Sequence, residues 1–375
     1  MALYGIDLHS DSFTVATVAG LDRSQRREVF SVPLSGERFV RFKARLRKED
    51  VILIEATTQS FWFYDQVAER VRDCYVFNPH VLDHKRNKTD KIDANMLLDR
   101  ITYNELMIDD PAKLPYVHIP DPQVRELRGM LSTYMLLRKM VTQSINRIHS
   151  IYKQQGIRLE RSHLTFKANR EQLLVQAELP AMWMVQICTL VNCLETLQAG
   201  KKQVKDLICF YGYQLFSRQI RLLMSIKGVS MLIATALMAD IVTVERFPSA
   251  KKFCSYLRTA PTVQASNDTV HLGRTNKQAR SLTCTMMTQA IGHFTSCRHF
   301  SDFKDRLSTG KRPGTVRIAI IRKTLTCAYH MLKRNQLFRW VETESYQRKI
   351  VELDRLVSRF EKKAIQNEGD FRKVS

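Results

Sequence analysis

Val51-Ile52-Leu53-Ile54 is an unbroken apolar run that stops at Glu55. A half-buried strand alternates apolar with polar residues, whereas one that is apolar at every position is covered on both faces. This run therefore reads as a central strand of a layered α/β domain. Working outward, Ala2 to Ile6 is a short buried strand leading into Asp7, and Phe13 to Ala19 and Glu28 to Val32 are β-prone. Gly36 to Arg47 and Ser60 to Arg72 read as helices, and Cys74 to Phe77 as a further strand. Leading strands followed by strand–helix alternation predict an α/β domain ending near residue 110.

Asp7 and Glu55 each end an apolar strand, and sites in such domains gather at strand ends. Downstream, Asn87-Lys88-Thr89-Asp90-Lys91-Ile92-Asp93-Ala94 sets two acids three residues apart where a helix, Asp93 to Thr102, is expected to begin. Residues three apart share a helix face, and a helix start favours negative charge. A solvated helix cap explains this octapeptide alone equally well. Together with the two strand-end acids it makes a four-carboxylate constellation. Carboxylates that close raise one another's pKa, and a hard divalent cation such as Mg²⁺ resolves the conflict. Two such ions would clamp the attacking and leaving oxygens of a phosphoryl transfer.

A formal net charge of +22 points to a polyanionic partner, nucleic acid ahead of an anionic membrane. The eight cysteines include no C-x-x-C pair, which argues against a zinc ribbon and fits reduced thiols. There is no apolar run of membrane-spanning length and no signal-peptide pattern at the start, so a cytoplasmic protein without membrane contact is expected.

Prolines from Asp109 to Pro122 mark an extended linker. Val124, Leu127, Leu131, Tyr134, Arg138, Val141, Ile145, Ile148 and Tyr152 then follow heptad spacing, interrupted only by Arg138. Trp183, Ile187, Leu190, Leu194, Leu197, Lys201, Val204, Ile208 and Tyr211 repeat it, with Lys201 as the break. The expectation is an antiparallel coiled-coil hairpin joined through His163 to Pro180. Further on, Lys227-Gly228-Val229 precedes an apolar helix, Met231 to Ile241. Gly228 suits either a phosphate grip at a helix start or a plain tight turn. Ser249 is expected to cap a helix through Leu257. Ala260 to Asn276 reads as a polar loop, with helices Gln278 to Phe294 and Val316 to Lys333 after it. Arg306, Lys311, Arg312, Arg317, Arg322 and Lys323 form a basic patch suited to backbone phosphates. A charged terminal helix, Ser345 to Ile365, is expected to be peripheral.

In this order the chain resembles the DEDD transposases of the insertion-sequence one-ten family, the bridge-RNA-guided recombinases. Gly5-Ile6-Asp7-Leu8-His9, Ile54-Glu55-Ala56-Thr57 and Lys88-Thr89-Asp90-Lys91-Ile92-Asp93-Ala94 carry the resemblance in the first third. Lys227-Gly228-Val229, Arg246-Phe247-Pro248-Ser249-Ala250, Leu272-Gly273-Arg274 and Arg317 to Lys323 carry it in the last. The resemblance implies an RNase H-like domain, like that of Holliday-junction resolvases, holding Mg²⁺ (Mn²⁺ as alternative) through Asp7, Glu55, Asp90 and Asp93. It also implies a catalytic serine in a mostly helical transposase domain. The match falls on Ser266, with Asn267 where the family has glycine; Ser230 and Ser10 likewise replace a glycine and a lysine. Lys88, Lys91, Gly228, Arg274, Lys277, Lys311, Arg312, Arg317, Arg322 and Lys323 are the expected nucleic-acid contacts. Implied partners are donor and target DNA, a bridge noncoding RNA, and further copies of the chain as a homodimer or tetramer. The setting implied is a bacterial cytoplasm, with action at the nucleoid.

The domain division expected is 1–110 (catalytic acids), 111–215 (linker and coiled coil), 216–340 (serine domain) and 341–375 (terminal helix). Rival readings are a pilin-inversion-type DNA invertase, a non-catalytic RNA- or DNA-binding protein, and a tyrosine recombinase suggested by His271-Leu272-Gly273-Arg274. The last leaves the acids unexplained.

Overall fold

The computed structural model describes residues 1–21, 25–78, 89–106, 116–160, 163–164, 169–170, 179–266, 269–275 and 282–371. The chain divides into two compact units, Met1–Pro120 and Asp121–Ser375.

The first unit is built on β1 (Ala2–Leu8), β2 (Ser12–Ala19), β3 (Glu28–Pro33), β4 (Val51–Glu55) and β5 (Asp73–Phe77). Their order in the sheet is β3-β2-β1-β4-β5. β1 runs antiparallel to β2 and parallel to β4, which runs parallel to β5. Both faces are covered, as the apolar run predicted. Ile6, Ile52 and Ile54 point to one face, where Phe13 meets Phe39 and Phe42 of α1 (Glu37–Arg45) and Phe63 of α2 (Ser60–Val67). Burying each such side chain contributes about 1.5–3 kcal/mol. Leu3, Val51 and Leu53 point to the other face, against Ala94, Leu97, Leu98 and Ile101 of α3 (Asp90–Leu106).

Two details depart from the sequence reading. α3 starts at Asp90, three residues earlier than expected, because Thr89 Oγ1 accepts the Ile92 amide at 3.4 Å and caps the first turn. Two residues of the expected linker, Tyr116 and Val117, join the sheet. Tyr116 bridges Phe77 and stacks on Tyr75 at 4.2 Å, and the Val117 amide donates to the Val76 carbonyl at 2.8 Å.

The second unit is largely helical. α4 (Pro122–Gln154) packs along α5 (Ala181–Met224). Early α4 residues such as Leu127 and Leu131 cluster with Ile208 and Phe216, while Ile148 and Tyr152 cluster with Ile187 and Val191. The two helices are therefore antiparallel. The apolar heptad positions are buried or half-buried with one exception. Tyr211 is 49% exposed, because Gly212 takes the inward place, so close to Thr235 that a side chain would collide with it. α6 (Met231–Ile241) is buried almost all round, and Ser230 caps it by accepting the Ile233 amide at 3.3 Å. Ser249 caps α7 (Ala250–Tyr256) in the same way.

The expected polar loop is a β-hairpin, β6 (Pro261–Ser266) and β7 (Thr269–Thr275), paired antiparallel. Its signal lay in two alternating runs, Thr262-Val263-Gln264-Ala265 and Thr269-Val270-His271-Leu272, around a two-residue Asn267-Asp268 connection. The expected single helix to Phe294 is broken at Ala290 into α8 (Leu282–Gln289) and α9 (Ile291–Thr295). α10 (Arg298–Ser308) and α11 (Pro313–Arg334) follow.

The terminal helix α12 (Thr343–Phe371) is not peripheral. Its Leu353 and Val357 are buried, Phe360 stacks on Phe210 at 5.0 Å, and Arg221 and Arg359 pair with Asp354 and Asp206. Lys349 Nζ donates to the carbonyls of Met224, Ile226 and Val229 at 2.8, 2.9 and 3.0 Å. Of the helix's charges, Lys349, Asp354 and Arg359 take part in the docking, while Glu344 and Arg348 are exposed. Among the described residues no helix is long and apolar enough to cross a membrane.

Candidate active site

In the parallel pairing of β1 with β4, Ile6 stands opposite Ile54. The next residues, Asp7 and Glu55, are thus neighbours on adjacent strands, about 5 Å apart at the backbone. Both project to the α3 face, because side chains alternate along a strand. α3 lies close over that face because residue 5 is glycine. A Cβ there would stand closer than 3.0 Å to the Ala94 carbonyl oxygen, the Leu98 amide nitrogen and the Leu97 carbonyl carbon. This contact seats the first turn of α3, with Asp90 and Asp93, beside the carboxyl end of β1.

Asp7, His9 and Asp90 each offer a ligand atom to one cluster, all within 4.8 Å of one another. His9 Nε2 lies 3.5 Å from Asp7 Oδ2 and 3.5 Å from Asp90 Oδ2. That nitrogen is buried yet makes no hydrogen bond. Asp7 is 9% exposed, and its carboxyl pKa is pushed up to about 6. Burial is the largest cause; His9 pulls it down, and the charges of Asp93, Glu55 and Asp90 push it up. All four predicted acids therefore act on one point. Asp7 and Asp90 form the inner cluster, while Glu55 and Asp93 lie outside the 4.8 Å group.

His9 is the site residue that motif reading quoted without giving it a part. The visible signal was its place two residues after Asp7, beyond the last residue of β1. Two carboxylates with a buried, unbonded imidazole nitrogen between them suit a divalent cation. Asp7, His9 and Asp90 are the residues that could hold one. Lys91 is exposed on the same helix turn, and Lys88 lies outside the described residues.

The remaining predicted residues belong to the second unit. Ser266 is the last residue of β6 and pairs with Thr269, and Arg274 lies in β7. Lys277 lies outside the described residues. Gly228 has φ +92°, and a Cβ there would stand 2.8 Å from the Phe294 amide nitrogen, so packing alone requires glycine. Lys311, Arg312 and Arg317 are exposed on the first turns of α11 or just before them. Arg322 and Lys323 are half-buried, and Lys323 Nζ sits 4.3 Å over the Phe303 ring. None of these five cations has an ion-pair partner among the described residues.

Residues 220–306, which run from the end of α5 through the hairpin into α10, match the family described as the IS116/IS110/IS902 transposase family. No curated protein matches the chain. The matched segment contains Gly228, Ser266 and Arg274 and lies wholly outside the unit that carries the acids.

Proposed function

We propose that this chain is the DNA transposase of an insertion sequence, a site-specific recombinase that cuts and rejoins DNA strands. The observation that carries this reading is the convergence of Asp7, His9 and Asp90, with Glu55 and Asp93 near enough to raise the Asp7 carboxyl. A chain of net charge +22 that also carries a concentrated acidic site has the composition expected of metal-dependent phosphodiester chemistry. The family match over residues 220–306 supports the transposase class. The strand order β3-β2-β1-β4-β5, with β2 antiparallel, supports an RNase H-like, Holliday-junction-resolvase-like first unit.

In this reading Asp7 and Asp90 would hold Mg²⁺ or Mn²⁺ together with His9, and Glu55 and Asp93 would complete the acidic set. A bound ion would supply Lewis acidity toward a phosphodiester oxygen. Ser266 is the nucleophile. Its Oγ bonds to phosphorus, the strand's bridging P–O bond breaks, and the freed deoxyribose oxygen takes a proton; reversal rejoins strands. A serine hydroxyl is a weak nucleophile at neutral pH, so this role requires an activating base or metal. Arg274, Lys277, Lys311, Arg312, Arg317, Arg322 and Lys323 contact phosphates in the second unit, and Lys88 and Lys91 in the first. The exposure of Lys311, Arg312 and Arg317 supports their part. An antiparallel coiled coil, a bridge noncoding RNA that pairs with donor and target DNA, and a homodimer or tetramer belong to the same proposal.

The test is strand exchange by the purified protein with its co-purifying nucleic acid. Asp7→Ala, Asp90→Ala and Ser266→Ala should each abolish exchange while leaving nucleic-acid binding within a few-fold of the parent. A protein–DNA adduct stable in denaturing gels should form with the parent and vanish with Ser266→Ala. Exchange at the parental rate by Ser266→Ala would remove the serine from the mechanism. Recovery of DNA without a defined RNA would favour an invertase.

A further inference from the structure

The two breaks in the heptad pattern face each other. On α4 the apolar series passes from Tyr134 to Val141 across Arg138, and on α5 from Leu197 to Val204 across Lys201. Since the helices run antiparallel, these breaks fall at one level. The core shows it as a gap. Tyr134, Met135, Val204 and Ile208 belong to one apolar cluster, and Val141, Leu190, Leu194 and Leu197 to another. Arg138 and Lys201 occupy the layer between them, each half-buried. Lys201 has its pKa lowered by burial first and then by the charges of Arg138 and Lys205, with no carboxylate acting to raise it.

A like-charge pair at a helix–helix seam is unfavourable unless counter-charge is supplied. Among the described side chains, the middle of α4 and α5 offers no unpaired carboxylate. No aspartate or glutamate occurs between Glu126 and Glu160, so α4 has no acid beyond its second turn. α5 has two, Glu195 and Asp206, and these pair with Arg170 at 3.4 Å and Arg359 at 2.8 Å. Exposed Lys139, Lys202 and Lys205 surround the seam pair. None of these cations has an ion-pair partner among the described residues.

We propose that the middle of the α4–α5 hairpin is a binding site for a nucleic-acid backbone, with Arg138 and Lys201 contacting successive phosphates and Lys139, Lys202 and Lys205 flanking them. The choice of nucleic acid as the polyanion rests on the function proposed above, and the site lies in neither the acidic cluster nor the α11 patch. A phosphodiester strand supplies the missing negative charge. The site also gives a reason for sacrificing two core positions of an otherwise apolar seam.

The test is fluorescence-anisotropy titration of full-length protein, stripped of nucleic acid, against a 20-base-pair duplex DNA and an unrelated RNA hairpin over a salt series. Arg138→Gln/Lys201→Gln should lower the magnitude of the log K versus log salt slope by about 1.5–2 for duplex DNA, or somewhat less for single strands. Which probe shows the loss tells whether the site holds DNA or RNA. Arg138→Leu/Lys201→Leu completes the apolar seam and should melt higher than the parent while losing the same slope, so unfolding cannot produce the result. An unchanged slope for both probes in the Leu pair overturns the proposal. Since binding is read without cleavage, an unchanged slope beside a protein–DNA adduct that still depends on Ser266 would count against this site alone and leave the recombinase reading standing.

Discussion

Gly5 of β1 and Ala94 of α3 meet backbone to backbone: a Cβ on residue 5 would stand closer than 3.0 Å to the Ala94 carbonyl oxygen. Everything at the acidic site depends on that contact, because Asp90 and Asp93 occupy the first turn of the same helix. Gly5→Ala should therefore displace α3 and destabilise the protein by about 1–3 kcal/mol. It should also reduce strand exchange far more than Ala16→Gly, a core change on the neighbouring strand of the same sheet. Thermal melts and exchange assays on the two variants check this.

The raised Asp7 carboxyl has a thermodynamic consequence. Its folded pKa of about 6 lies above the ordinary value of 3.8, so between these pH values the native state holds more proton than the unfolded chain. Metal-free protein should lose stability as pH rises through that window and not regain it above. Asp7→Asn, which carries no charge, should melt higher than the parent at pH 7 in EDTA. After screening the gain is on the order of 1–2 kcal/mol, vanishing near pH 4. Melting curves at pH 4, 5.5 and 7 measure it, and a gain that is constant with pH would contradict the assigned cause.

Much of this site could be read from residue order. The apolar run before Glu55 located the central strand, and the two-acid octapeptide located the helix that crosses it. What order alone does not carry is distance. Glu55 and Asp93 act on Asp7 through charge but lie outside its inner cluster, whereas His9 lies within it, and that distinction comes from the turn after β1. The β6–β7 hairpin was missed for a different reason. Each of its quoted runs alternates over only four residues, so turn propensity in Asn267-Asp268 outweighs the alternation on either side. The terminal helix was misjudged because its cations looked solvated, although Lys349 is held by three carbonyls.

Gly228 combines a positive φ of 92° with close contact to Phe294. Gly228→Ala should destabilise the second unit by at least about 1–3 kcal/mol through strain and overpacking. A glycine kept only for phosphate contact would instead lose binding at an unchanged melting temperature. Differential scanning calorimetry with a binding isotherm separates the two.

Lys349 ties α12 to the turn that precedes α6. Lys349→Met deletes three hydrogen bonds and leaves buried carbonyls unsatisfied, a cost of about 1–3 kcal/mol or more. Burial pushes the Lys349 ammonium down to about 8, against 10.5 unfolded. The unfolded chain therefore binds more proton between these values, and the group's contribution to stability grows as pH rises from 8 to 10.5. The parent-minus-variant difference in melting temperature should accordingly widen across that range. A peripheral helix would give no difference at any pH.

The most direct measurement is calorimetric titration of Mn²⁺ into full-length protein freed of metal and nucleic acid, comparing the parent with Asp7→Asn, Asp90→Asn and His9→Ala. Saturable binding in the parent should be lost in Asp7→Asn and weakened at least about tenfold in the other two. Parental affinity in both Asp7→Asn and Asp90→Asn would contradict a metal site built where β1, β4 and α3 converge.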